Sequence, residues 1–150
     1  MKEPIVLDST CLIGLERIGR LEILPALFEP VIIPPAVDRE FAKQAEWLSV
    51  EVRFDRSLTS VLQMGLGAGE SEAISIAKGL GIRIATDDKQ ARAAANALGL
   101  KVIGTVGILL RAKSAGVIDQ IRPMLDGLDE NGFHISRSLR EEALQIANEG

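Results

Sequence analysis

Asp8 stands directly after the apolar run Ile5 to Leu7, and Asp87 and Asp88 follow the strand-like run Ile82 to Ala85 with only Thr86 between. Glu40, Glu70 and Glu72 lie in stretches with helical spacing. Carboxylates of this kind do acid/base work or bind hard metal ions when they are gathered. His134 is the single histidine and Cys11 the single cysteine. A two-imidazole nuclease, a Cys-rich zinc site and an internal disulfide are therefore excluded, and a Cys-His dyad would have to join opposite ends of the chain. No phosphate-loop pattern occurs. Gly65, Gly67 and Gly69 lack the third glycine position of a dinucleotide fingerprint, and Glu70 and Glu72 directly after them would repel a phosphate.

Each acid also has a plainer explanation. Asp8 with Ser9 and Thr10 suits a helix N-cap, as do Asp87 and Asp88. Glu40 lies at the margin of the stripe Val37, Phe41, Ala45 and Leu48, where it can pair with Lys43 for a few tenths of a kcal/mol. Glu70 and Glu72 are ordinary dipole partners for the first turns of a helix. A single cap explains a single aspartate, but not acids at the same end of two strands. If Asp8, Glu40, Glu72 and Asp88 meet above the sheet, their repulsion must be offset. A divalent cation does this, and all-oxygen ligands select Mg2+ or Mn2+ with waters retained.

The elements that must position these acids alternate between strand and helix. Ile5 to Leu7, Val31 to Ile33, Ile82 to Ala85 and Lys101 to Ile103 read as strands, with an extra edge strand at Val50 to Phe54. Helices are predicted from about Thr10, from Pro34-Pro35 to about Trp47, over Gly69 to Lys78 and over Asp88 to Leu98, then through the C-terminal third with Ser136 or Ser138 as a cap. Short joints between strands and helices imply an α/β fold, a three-layer α/β/α arrangement around a mainly parallel sheet. Ligands in such sheets lie beyond the carboxyl ends of the strands.

The 150 residues are 47% hydrophobic and 25% charged, which suits one compact domain over 1–150 without staples. The net charge of -4 draws no polyanion by itself, so a nucleic acid would have to be gripped locally. There is no signal-peptide core and no membrane span, so a complete, cytoplasmic chain with no membrane partner is expected. With no tyrosine, one tryptophan, and Phe28, Phe41 and Phe54 in apolar runs, an aromatic base-stacking platform is not expected. Lys89 and Arg92 are the basic residues nearest the acids, candidates for phosphate contacts whose simpler reading is solvated helix charge.

Several stretches resemble the PIN domain family, which includes many prokaryotic toxin ribonucleases of the VapC type. I-V-L-D-S-T-C-L-I (5 to 13) is similar to that family's first strand with its Asp and Ser/Thr, and I-I-P-P-A-V-D-R-E-F (32 to 41) to its second strand and Val-x-x-Glu helix. E-A-I-S-I-A (72 to 77) matches the place of Asp-Ala-x-Ile-Ala-Ala, with Glu where Asp is usual, so Glu70 stands as an alternative to Glu72. I-A-T-D-D (84 to 88) matches Thr-x-Asp, which favours Asp88 over Asp87. G-A-G-E-S-E-A-I (67 to 74), V-I-G-T-V-G-I-L-L-R-A-K (102 to 113) and G-F-H-I-S (132 to 136) are similar to one prokaryotic branch with no settled physiological role.

The resemblance implies a metal-dependent endoribonuclease. Asp8, Glu40, Glu72 and Asp88 would hold one or two Mg2+ or Mn2+ ions, and Thr10 would orient a ligand or the attacking water. Products would carry 5'-phosphate and 3'-hydroxyl ends. It also implies an RNA substrate, a small antitoxin protein over the site and a homodimer. The alternative is a PIN-like module that binds RNA or protein without catalysis. Two phosphoaspartate enzymes fit less well. A haloacid-dehalogenase-type phosphatase needs an Asp where Thr10 stands, and a response-regulator receiver fits only loosely through Lys101.

Overall fold

The computed structural model describes residues 2–150. Five parallel strands form the central sheet in the order β3-β2-β1-β4-β5, with β1 Glu3–Leu7, β2 Phe28–Ile33, β3 Leu48–Val50, β4 Arg83–Ala85 and β5 Val102–Ile103. Val6 pairs in register with Ile32 and Ile84. Strand side chains alternate between faces, which explains the two cores. Val6, Ile32 and Ile84 pack with Ile74, Ala77 and Ala91 on one face. Ile5, Leu7, Val31 and Ile33 pack with Leu12, Leu15 and Ile108 on the other. Each fully buried aliphatic contributes about 1.5–3 kcal/mol.

The helices complete a three-layer arrangement. Those of the first face are α5 (Ala68–Leu80) and α6 (Lys89–Ala97), with α4 (Arg56–Leu62) against α5. On the other lie α1 (Ser9–Arg17), α2 (Ile23–Leu27), α7 (Thr105–Ser114), α8 (Arg122–Glu130) and α9 (Arg137–Ile146), capped by Ser136. The helix after β2, α3, covers only Pro35–Phe41 and contacts both α1 and α5.

Two sequence expectations are corrected. The helix predicted to reach Trp47 stops at Phe41, because Ala42 turns left-handed (φ 54°) and donates its N–H to Asp38. Lys43 is then paired with Glu16 of α1, not Glu40. The edge strand falls at Leu48–Val50 instead of Val50 to Phe54, since Leu48 pairs with Val31 and the chain leaves the sheet after Glu51 donates to Ile33. No helix among the described residues is long and apolar enough to cross a membrane.

Candidate active site

A parallel sheet with right-handed returns brings helix N-termini to the carboxyl ends of its strands, and these ends carry partial positive charge. The acids meet this field one by one. Asp8 ends β1 and caps α1, accepting from the Thr10 N–H at 3.0 Å. Asp88 caps α6 through the Ala91 N–H at 2.8 Å. Asp87 caps a helix far away in sequence: its Oδ1 accepts the Thr105 N–H at 2.9 Å, the first residue of α7, whose own cap position is Gly104. Glu72, in α5, accepts the Ala36 N–H of α3 at 2.9 Å. The capping roles foreseen for Asp8 and Asp88 are therefore real, whereas Asp87 caps α7 and not the helix that follows it.

Asp8 is the most constrained of them, with 1% of its surface exposed. Its Oδ1 also accepts the Thr10 hydroxyl at 2.6 Å, and its Oδ2 accepts the Thr86 hydroxyl. Thr10 Oγ1 in turn accepts the Asp87 N–H at 3.0 Å, and Thr86 Oγ1 accepts the Asp88 N–H at 3.1 Å. Both threonines therefore aim their hydroxyl hydrogens at Asp8 and tie the end of β1 to the end of β4. Burial pushes the Asp8 carboxyl up to about 6; the Thr10 and Thr86 hydrogen bonds counter this, and the negative charge of Glu70 adds to it. Glu70 thus acts on Asp8, while its side chain folds back over Gly67, where a Cβ would come within 2.7 Å of Oε2.

The doublet divides into two roles. Asp87 accepts three hydrogen bonds, as many as Asp8: Thr105 donates to both of its oxygens, the hydroxyl at 2.6 Å, and Cys11 Sγ donates to Oδ2 at 3.3 Å. Asp88 keeps Oδ1, and Glu72 keeps Oε2, free of hydrogen bonds from the described residues. Glu40 is exposed, one helical turn beyond Ala36 on α3, with no hydrogen bond or ion pair among the described residues. Cys11 is fully buried; burial pushes its thiol up, with Asp87 and Asp8 adding, and His134 is exposed, so no Cys-His nucleophile forms. Thr86 and Thr105, each with no exposed surface, are the partners that sequence reading passed over as site residues. Their signal was a hydroxyl residue directly following β4, and one separated from β5 only by Gly104.

Charge is handled differently at the two ends of the sheet. At the amino end, Glu3 takes Arg83 and Arg111, each at 2.8 Å. At the carboxyl end, Asp8, Glu40, Glu70, Glu72, Asp87 and Asp88 have no Lys or Arg within 4 Å among the described residues. No group of three His, Cys, Asp or Glu side chains stands in metal-holding geometry among these residues. The donor chemistry nevertheless fits a hard divalent ion: carboxylates without a basic partner, several of them with a free oxygen, and a buried Ser71 hydroxyl without a partner, next to Glu72 in the chain. No curated protein matches the sequence. A family model described as PIN domain matches residues 4–149 and agrees with the parallel sheet flanked by helices, and on this match the chain belongs to the PIN domain family.

Proposed function

We propose that this PIN domain is a Mg2+- or Mn2+-dependent endoribonuclease and the toxin half of a toxin-antitoxin pair. PIN domains are a nuclease-type family. The observation that carries the reading is the gathering of acids at the carboxyl end with no basic partner, in contrast to the paired charges at the amino end. Asp8, Glu72 and Asp88 would hold the ion, Glu70 would add charge beside Asp8, and Glu40 would extend the acidic surface down α3. Asp87 is left out of the set because the Thr-x-Asp match favours Asp88 and the Asp87 carboxylate clamps the start of α7.

A bound divalent ion supplies a more acidic water and neutralises charge that develops on the phosphate. The chain's own residues prepare for this. Thr10 and Thr86 fix the rotamer of Asp8, so Thr10 orients a ligand rather than the water. The helix N-termini behind the carboxylates stabilise negative charge and hold the acids in place while phosphate approaches. RNA is the substrate, cut to 5'-phosphate and 3'-hydroxyl ends; a small antitoxin covers the site, and the domain works in the cytoplasm as a homodimer.

The test is incubation of structured RNAs with wild type, Asp8→Asn and Asp88→Asn in Mn2+ or EDTA. Cleavage by wild type in Mn2+ alone, with 5'-phosphate products, is expected. Equal cleavage by all three proteins would reveal a contaminant, and no cleavage of any RNA would overturn the ribonuclease reading. Growth arrest on expression of wild type but not Asp8→Asn checks the toxin role.

A further inference from the structure

Along the outer edge of the sheet, between α6 and α9, runs a groove of about 460 Å3, within the range of about 300–1,000 Å3 typical of small-molecule sites. One wall is Ile103 of β5 and Leu110 of α7; the other is α9, where Leu139 and Ile146 remain 43% and 62% exposed. Asp87 and Arg92 are part of its lining, which places the groove next to the end of β4 that carries the aspartates.

Arg92 is the informative residue. Its guanidinium is half-buried and donates from Nη1 to the Thr86 carbonyl at 3.0 Å, yet no carboxylate lies within 4 Å among the described residues. Asp87 in the same lining accepts from Thr105 and Cys11. A guanidinium has five donors, so most of those of Arg92 are left to bind an anion. Gly104 makes the arrangement possible, since a Cβ there would fall 2.8 Å from both Arg92 Nη1 and Asp87 Oδ1. Through Thr86, Arg92 is joined to Asp8: one end of that residue accepts from the arginine and the other donates to the aspartate.

We propose that this groove holds the base of a nucleotide flanking the scissile phosphate, with Arg92 on a neighbouring phosphate. The aliphatic walls sandwich an unstacked base, the task aromatic residues perform in other RNA-binding proteins. Glu142 at the rim accepts from an exocyclic amino group, which favours adenine, guanine or cytosine over uracil. An arginine beside a clamped Asp87, one rim carboxylate and an apolar interior complement a single nucleotide, with its phosphate and its amino-bearing base, better than they do an acidic or basic helix. The proposal rests on the nuclease reading for its substrate, but groove binding is measurable without cleavage.

The four nucleoside 5'-monophosphates are titrated into the 15N-labelled protein in EDTA. Amide shifts at Gly104, Gly107, Leu139 and Ile146 are expected, with uracil weakest. Arg92→Gln weakens binding about tenfold or more, the size of a lost charge-assisted hydrogen bond. Ile146→Glu, at an exposed position that leaves the fold intact, weakens it comparably. The proposal is overturned if nucleotides shift only residues at the carboxylates, if Arg92→Gln binds as wild type does, or if a second copy or another protein covers Leu139 and Ile146 in the nucleotide-free state. If groove binding persists while no RNA is cut, the nuclease reading fails and the groove remains a nucleotide site without a scissile phosphate.

Discussion

Replacing Asp8 by asparagine is expected to make the metal-free protein more stable at neutral pH. Burial holds the Asp8 carboxyl at about 6, against 3.8 for an ordinary aspartate. Between those values the folded state binds more protons than the unfolded state, so stability falls as pH rises through the interval. At about 1.4 kcal/mol per pH unit, the full interval amounts to on the order of 3 kcal/mol, present below pH 3.8 and lost above about pH 6. Asparagine removes this penalty, but its amide must face Thr86 Oγ1, whose hydrogen then lacks its acceptor. That loss takes back about 1–2 kcal/mol, which leaves a net gain of about 1–2 kcal/mol at neutral pH. For a domain of this size each kcal/mol moves Tm by about 2–4 °C. Thermal unfolding of both proteins across this pH range in EDTA, taken as a difference so that other groups cancel, reads the effect. Added Mn2+ then raises wild type in a concentration-dependent way and leaves Asp8→Asn where it was. Parallel pH curves in EDTA would refute the burial of a charged Asp8.

Three further outcomes follow from the same geometry. Asp88→Asn retains a good N-cap and changes stability by less than about 0.5 kcal/mol while abolishing the Mn2+ thermal shift, whereas Asp87→Asn costs about 1–3 kcal/mol and keeps the shift; the reverse pattern in the same melts would exchange their roles. Thr105→Val removes the hydroxyl donated to Asp87 at 2.6 Å and lowers stability in urea by about 1–3 kcal/mol, and an unchanged midpoint would mean that the clamp on α7 carries no energy. Glu149 accepts Ile121 N–H at 2.8 Å, Arg122 N–H at 3.1 Å and Lys113 Nζ at 2.9 Å; burial would raise its carboxyl, but these donors hold it below 4.5. Its contribution is present above that value and lost as pH falls through the lowered one, so Glu149→Gln is less stable than wild type at neutral pH and converges with it in acid.

The parallel sheet was legible because buried strands are short apolar runs, and those before Asp8 and Asp87 carry their acids at the same end. Left-handed Gly99 bounds the helix predicted over Asp88 to Leu98, whereas the helix predicted over Gly69 to Lys78 runs on to Leu80 before left-handed Gly81. The end of α3 was not legible: a left-handed alanine and an ion pair to α1 decide it, and neither leaves a periodic trace. Helices of five and seven residues, α2 and α4, are too short for a pattern to show. Within the site, local spacing exposed Asp8 and Asp88, but the role of Asp87 depends on Thr105, eighteen positions away across another strand. The surroundings of Glu70 and Glu72 were likewise tertiary: Glu72 meets Ala36 at the start of α3, and Glu70 places its charge near Asp8.

Anomalous diffraction at the manganese edge, from crystals grown in MnCl2, asks most directly whether the unpaired acids serve a metal. A peak in contact with Asp8 and Asp88 is expected, absent from crystals of Asp8→Asn. Density for manganese only elsewhere, or none at saturating concentration, would contradict the assignment of this end of the sheet as a catalytic centre.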